Sequence, residues 1–178
     1  MDLKLKFPGL LFRNCEIYNG DRKLASLKRK WTLYVIEIGS YRDNKWEFRE
    51  KGFIKTKIIV TDLVTKRLLG TIDIENKKQL LGTIGTTRND LAFFNIQGKS
   101  FQLTQNAQGH FVWLDDKNSE IANYDFSHIF SRTFNRECPA TIVENPTKDY
   151  ILLLMLGIYL IKMQLLLKES VTQGFNRC

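Results

Sequence analysis

Through the first 144 positions apolar and polar residues mostly alternate, and this period of two gives way near the C-terminus to one apolar run. Leu3, Leu5 and Phe7 alternate with Lys4 and Lys6, a strand ended by Pro8-Gly9. Phe12 to Tyr18 and Lys23 to Leu27 form a hairpin about Asn19-Gly20-Asp21. Trp31 to Ile38 is mostly apolar, and Gly39 to Asn44 turns it into Lys45 to Arg49, where Trp46 and Phe48 face opposite to Lys45, Glu47 and Arg49. Phe53 to Thr61 and Arg67 to Glu75 make the most regular hairpin. The pentad LLGTI occurs at Leu68 to Ile72 and again at Leu80 to Ile84, two similar strands rather than a repeat architecture. Hairpins continue through Leu91 to Ile96, Ser100 to Thr104, His110 to Leu114 and Glu120 to Phe126, and a last strand follows Pro139 from Ala140 to Glu144. The pattern predicts about twelve strands, divided near residue 76.

Tyr150 to Leu167 is apolar on every side of a helix. Asn145-Pro146 sets its start, with Asn145 as cap and Pro146 in the first turn. The uncharged run from Tyr150 to Ile161 has the length of a buried core helix, since a bilayer span needs about 20 predominantly apolar residues. Lys162 within a bilayer would cost about 2.5 to 3.5 kcal/mol. The expected architecture is therefore mainly β, a closed antiparallel barrel around a C-terminal hydrophobic helix. It would be one domain over 1–170, with strands in 3–144, the helix at 146–169 and a tail at 171–178. A C-terminal tail anchor on a soluble β domain is the alternative. A helix apolar all round must be wrapped all round, with Phe93, Phe94, Phe101, Phe111, Trp113, Tyr124 and Phe126 as bulky lumen candidates. Gly157 would let an inward side chain approach the helix backbone, or is simply tolerated there.

Charge changes this picture more than composition does. A chain of 178 residues with 43% apolar and 26% charged residues is ordinary for a globular domain. Residues 1–89, however, hold nineteen cations against ten carboxylates, whereas the remainder has a net charge of −1. Such a basic half attracts anionic lipid headgroups or nucleic acid; a solvated surface is the plain alternative. Arg22, Lys23, Lys28, Arg29 and Lys30 cluster beside Trp31, and Lys55, Lys57, Lys66 and Arg67 are expected to join them in space. Three scattered cysteines, Cys15, Cys138 and Cys178, suit reduced thiols in a cytosolic protein. The N-terminus lacks the apolar run of an export signal.

About twelve antiparallel strands in two halves, a tight Asn-Pro turn and an apolar helix led by Asp149-Tyr150 resemble the tubby C-terminal-like superfamily. That superfamily includes tubby proteins, phospholipid scramblases and LURP-one-related proteins, and the Asp149-Tyr150 lead is most similar to the bacterial LURP-one-related branch. The resemblance covers the whole chain through its architecture, and it implies a barrel enclosing the helix. Asn145-Pro146-Thr147-Lys148 stands where scramblases carry an acidic, calcium-loop-like segment, so calcium-dependent scrambling does not carry over. The lysine and arginine cluster with which tubby proteins bind phosphoinositides does not align residue by residue.

No pattern for chemistry competes with a binding role. His110 and His128 stand eighteen apart, too few and too far for a zinc site. Asp116, Asn118 and Glu120 alternate like the start of a calcium loop but lack its glycine and its twelfth-position glutamate, which leaves a polar turn. Cys138, near Arg136, has no identifiable base, and no glycine-rich phosphate loop occurs. The sequence thus points to a non-enzymatic cytoplasmic binding module, without cofactor or metal, peripheral at anionic membrane lipid. Single-stranded nucleic acid is the disfavoured alternative ligand.

Overall fold

Side-chain alternation places strands on both sides of each turn, and the computed structural model of the chain shows twelve of them. It describes residues 1–8, 14–30, 35–52, 56–74, 90–126 and 137–175, with 56, 73–74, 90–91 and 165–175 as backbone only. The strands are β1 (Asp2–Lys6), β2 (Asn14–Asn19), β3 (Arg22–Lys30), β4 (Ile36–Tyr41), β5 (Asn44–Lys51), β6 (Thr56–Asp62) and β7 (Leu68–Ile74). The second half holds β8 (Asp90–Ile96), β9 (Lys99–Gln105), β10 (Phe111–Leu114), β11 (Glu120–Tyr124) and β12 (Glu137–Ile142), followed by helix α1 (Lys148–Phe175).

Consecutive strands pair antiparallel from β1 to β7 and from β8 to β12, and β1 joins the two meanders by pairing with β12. The register there sets Leu3 opposite Ala140 and Leu5 opposite Cys138. The sheet curls into a nearly closed barrel whose remaining seam lies between β7 and β8. At that seam a Cβ on Gly70 would lie 2.7 Å from the Phe94 ring and 3.0 Å from the Asn95 carbonyl oxygen. One rim carries the tight turns at Gly20, Arg42-Asp43, Leu63 to Arg67, Gln97-Gly98 and Asp115 to Ser119. We call it the turn rim and the other the far rim.

The barrel is filled by α1. No side chain from Ile151 to Ile161 is more than 3% exposed, and a fully buried aliphatic residue contributes about 1.5 to 3 kcal/mol. The helix enters at the turn rim, where Tyr150 meets Phe101 edge to face at 6.4 Å. Among the described residues no helix is long and apolar enough to cross a membrane. Ile151 to Ile161, the heart of the apolar stretch that suggested a tail anchor, lies inside the barrel.

Several boundaries differ from the sequence expectation, each for a local reason. The helix is capped by Thr147 rather than Asn145: the Tyr150 N–H donates to Thr147 Oγ1 at 3.4 Å, and the Ile151 N–H to its carbonyl at 3.1 Å. Asn145 has a φ of 49° and turns the chain before the cap. The helix also runs beyond residue 169, to Phe175. Gly39 is a residue of β4 and not the start of a turn, because Met155 of the helix packs where its side chain would be. β3 extends three residues past Leu27, through Lys28, Arg29 and Lys30. β12 starts at Glu137 and carries Pro139 on its exposed face. Phe93 faces out, whereas Phe94, Phe101, Phe111, Trp113, Tyr124 and Phe126 are core residues. Trp31 and the second LLGTI, Leu80 to Ile84, lie outside the described residues.

Candidate functional site

Parity along β3 and β4 decides what faces the helix at the far end of the lumen. Ala25, Leu27 and Arg29 share the inner parity of β3, and Arg29 stands opposite Glu37 in the register. Glu37 on β4 meets Lys162 of α1, whose Nζ donates to its Oε1 and Oε2 at 2.8 and 2.7 Å. Both side chains are almost wholly buried. Burial pushes the Glu37 carboxyl up and the Lys162 ammonium down, each opposed by the other's charge. The Tyr159 hydroxyl, one turn before Lys162, makes no hydrogen bond among the described residues, and its ring stacks on Phe48 at 5.7 Å. The pair fixes how deep the helix sits, because sliding by one turn would separate two buried charges.

The lumen thiols are in the wrong state for nucleophiles. Burial pushes the Cys138 thiol up to about 12 and the Cys15 thiol higher still, so both stay protonated at neutral pH. Cys138 therefore lacks the thiolate character that a nucleophile needs, whatever its nearness to Arg136 in sequence. His110 lies 3.8 Å from Asp125, while His128 falls outside the described residues. Asp115 Oδ1 accepts the Lys117 and Ser119 N–H groups at 2.9 and 2.7 Å, which makes 115–119 a turn held by a side chain.

The outer wall of β3 to β7 has one dominant sign. From Arg22 to Ile72 the exposed charged residues among those described are cations, apart from Asp43. Glu47 is mostly buried and takes the Arg49 guanidinium at 2.8 Å. Lys51 and Lys57 stand directly opposite each other across β5 and β6, both exposed. Like charges in that relation are locally unfavourable, and on its other side Lys57 stands opposite Asp73 across β6 and β7.

Of the nine cations singled out by sequence, the eight described do not form one cluster. Lys28 and Lys30 lie on the outer face toward the far rim, as does Lys57 three strands away. Lys23 forms an ion pair with Glu16, and Arg29 has the inner parity of β3. Arg22 is at the turn rim beside Gly20, and Lys66 and Arg67 form the β6–β7 turn on the same rim. Lys55 is outside the described residues. Sequence reasoning missed Glu37, although the lone carboxylate in the run Val35 to Gly39 and Lys162 at the end of the helix's uncharged run were the signal. It also missed Val64 and Leu68, both exposed beside Lys66 and Arg67. No protein-family model, no curated protein and no solved structure matches this chain.

Proposed function

We propose that this chain is a non-enzymatic binding module that docks on anionic membrane lipid through the outer wall of β3 to β7. The observation that carries this reading is the single sign of that wall among the described side chains, where one exposed carboxylate, Asp43, stands against exposed cations on β3, β5 and β6 and in the β4–β5 and β6–β7 turns. Each Lys or Arg near an anionic leaflet contributes about 1 kcal/mol, an attraction that fades beyond about 10 Å in 0.1 M salt. The resemblance to the tubby-like superfamily, where a basic barrel surface meets phosphoinositides, supports the same reading. The free, buried thiols of Cys15 and Cys138 suit a protein working at a cytoplasmic face.

Co-sedimentation with vesicles tests it. The chain should pellet with phosphatidylcholine vesicles containing phosphatidylserine and not with phosphatidylcholine alone, and binding should fall as salt rises. Alanine at Lys28, Lys30, Lys51 and Lys57 together should weaken it at least about tenfold. Binding that is flat with salt, or that survives those substitutions, contradicts the proposal. Salt-sensitive retention on single-stranded DNA without vesicle binding would move the wall's partner to nucleic acid.

A further inference from the structure

The β6–β7 turn has a composition that neither the core nor a solvated turn requires. Val64 is 61% exposed and Leu68 63%, and between them stand the exposed cations Lys66 and Arg67. The turn is held rigid from below. Asp62 Oδ1 accepts the N–H groups of Val64 and Thr65 at 2.8 and 3.0 Å, and the Asp62 N–H donates to the Arg67 carbonyl at 2.9 Å. Lys66 takes a φ of 59°, which closes the tip. With that carboxylate turned into the loop, the tip presents only positive charge between its two aliphatic side chains.

Phe93, 57% exposed, is the third large apolar side chain that stands well out of the described surface. It belongs to β8, across the seam, where Gly70 of β7 lies against Phe94 and Asn95. All three exposed apolar residues therefore border one line, the seam between the two meanders, with the hairpin tip at its turn-rim end.

We infer that the β6–β7 tip enters the headgroup region of an anionic bilayer, with Val64 and Leu68 in the acyl boundary, Lys66 and Arg67 on lipid phosphates, and Phe93 at the interface. This rests on the lipid-docking reading and says which part of the basic wall leads. The charge of the tip complements an anionic leaflet, and aliphatic tips flanked by cations suit a medium that is apolar within a few ångströms of its charged surface. A protein partner is the weaker fit. Stable protein interfaces bury on the order of 1,200 Å² or more, and three separated side chains interleaved with cations do not form a dry patch of that size.

The test uses the full-length chain with vesicles of phosphatidylcholine and phosphatidylserine. The variant Val64→Ser/Leu68→Ser, checked for an unchanged thermal melt, should bind about tenfold to a hundredfold more weakly, while the salt dependence of its residual binding stays like that of the unaltered chain. Leu68→Trp should shift its emission to the blue on vesicles and be quenched by lipids brominated along the acyl chain. Equal vesicle binding by the serine variant, with no quenching of the Leu68→Trp probe, overturns the insertion and leaves the docking reading intact. No vesicle binding by the unaltered chain overturns both. Concentration-dependent self-association abolished by the serine variant, with vesicle binding unaffected, would give the tip to a second copy of the chain and overturn the bilayer assignment.

Discussion

On the β10–β11 side of the barrel the glycine belongs to the helix; on the β4–β5 side it belongs to the strand. Gly157 of α1 sits against the Tyr124 hydroxyl and the Trp113 indole nitrogen, and a Cβ there would lie 2.6 Å from that nitrogen. Tyr124 reaches over the helix and donates to the Leu154 carbonyl at 2.9 Å. On the other side Gly39 makes room for Met155, so the helix supplies the bulk and the strand the hollow. The β4–β5 side adds the ring stack of Phe48 on Tyr159 and the Glu37–Lys162 pair. One wall grips the helix with rigid rings inserted from outside, and the other receives a flexible thioether and one directed charge contact. An all-apolar helix has no preferred rotation of its own; these unlike contacts give it one.

Removing the charge contact should have the largest effect. Lys162→Met leaves Glu37 buried without its ammonium, a change that costs about 3 to 5 kcal/mol. The pH dependence has a definite sign. Burial already raises the Glu37 carboxyl above its ordinary value, and losing Lys162 raises it further. A raised folded-state value means that stability is retained at low pH and lost as pH rises through that value. Thermal melts of Lys162→Met should thus show a deficit that is smaller at mildly acidic than at mildly alkaline pH. The double variant Glu37→Gln/Lys162→Met should recover most of it. A deficit independent of pH would mean that Glu37 is solvated and that the pair does not lock the helix.

The two glycines should differ in how much a methyl group costs. Gly157→Ala forces a methyl group into two rings that are themselves fully packed, and should cost about 2 kcal/mol even after the gain in helix propensity. Gly39→Ala meets chiefly the sulfur of Met155, which can change rotamer, and should cost about 1 kcal/mol. Denaturant melts of the two variants decide this, and an equal or reversed order would show that the walls do not differ in rigidity. Met155→Leu, which removes the adaptable partner, should widen the penalty at Gly39 and leave that at Gly157 unchanged.

The strands, their antiparallel order and the helix they enclose were legible because period-two alternation and an all-apolar run are statements about burial. At Gly157 the sequence left close approach and simple tolerance both open, and the Tyr124 and Trp113 side chains against it decide for close approach. What escaped was parity at places where the sequence supports two choices. Phe93 and Phe94 are adjacent, so one must face out, and only the shared parity of Ala92, Phe94 and Ile96 settles which. Arg29 looked like a surface cation among cations until Leu27 fixed the inner face of β3. Gly39 resembled a turn signal, since the space it leaves is for a side chain 116 positions away in the chain. The basic wall was legible as a charge imbalance, but its division between the two rims was not. Residues 28, 30 and 57 come near one rim and 66 and 67 near the other only because the strands are antiparallel and of particular lengths.

If the wall of β3 to β7 meets anionic lipid, it must do so while the helix stays inside the barrel. Amide hydrogen exchange of the full-length chain, with and without phosphatidylserine-containing vesicles, tests both halves at once. Exchange should slow in the β6–β7 turn and along β3 to β6, with no change in β9 to β11 and with Ile151 to Lys162 protected throughout. Faster exchange in that helix on adding vesicles, or protection confined to β9 to β11, would contradict it.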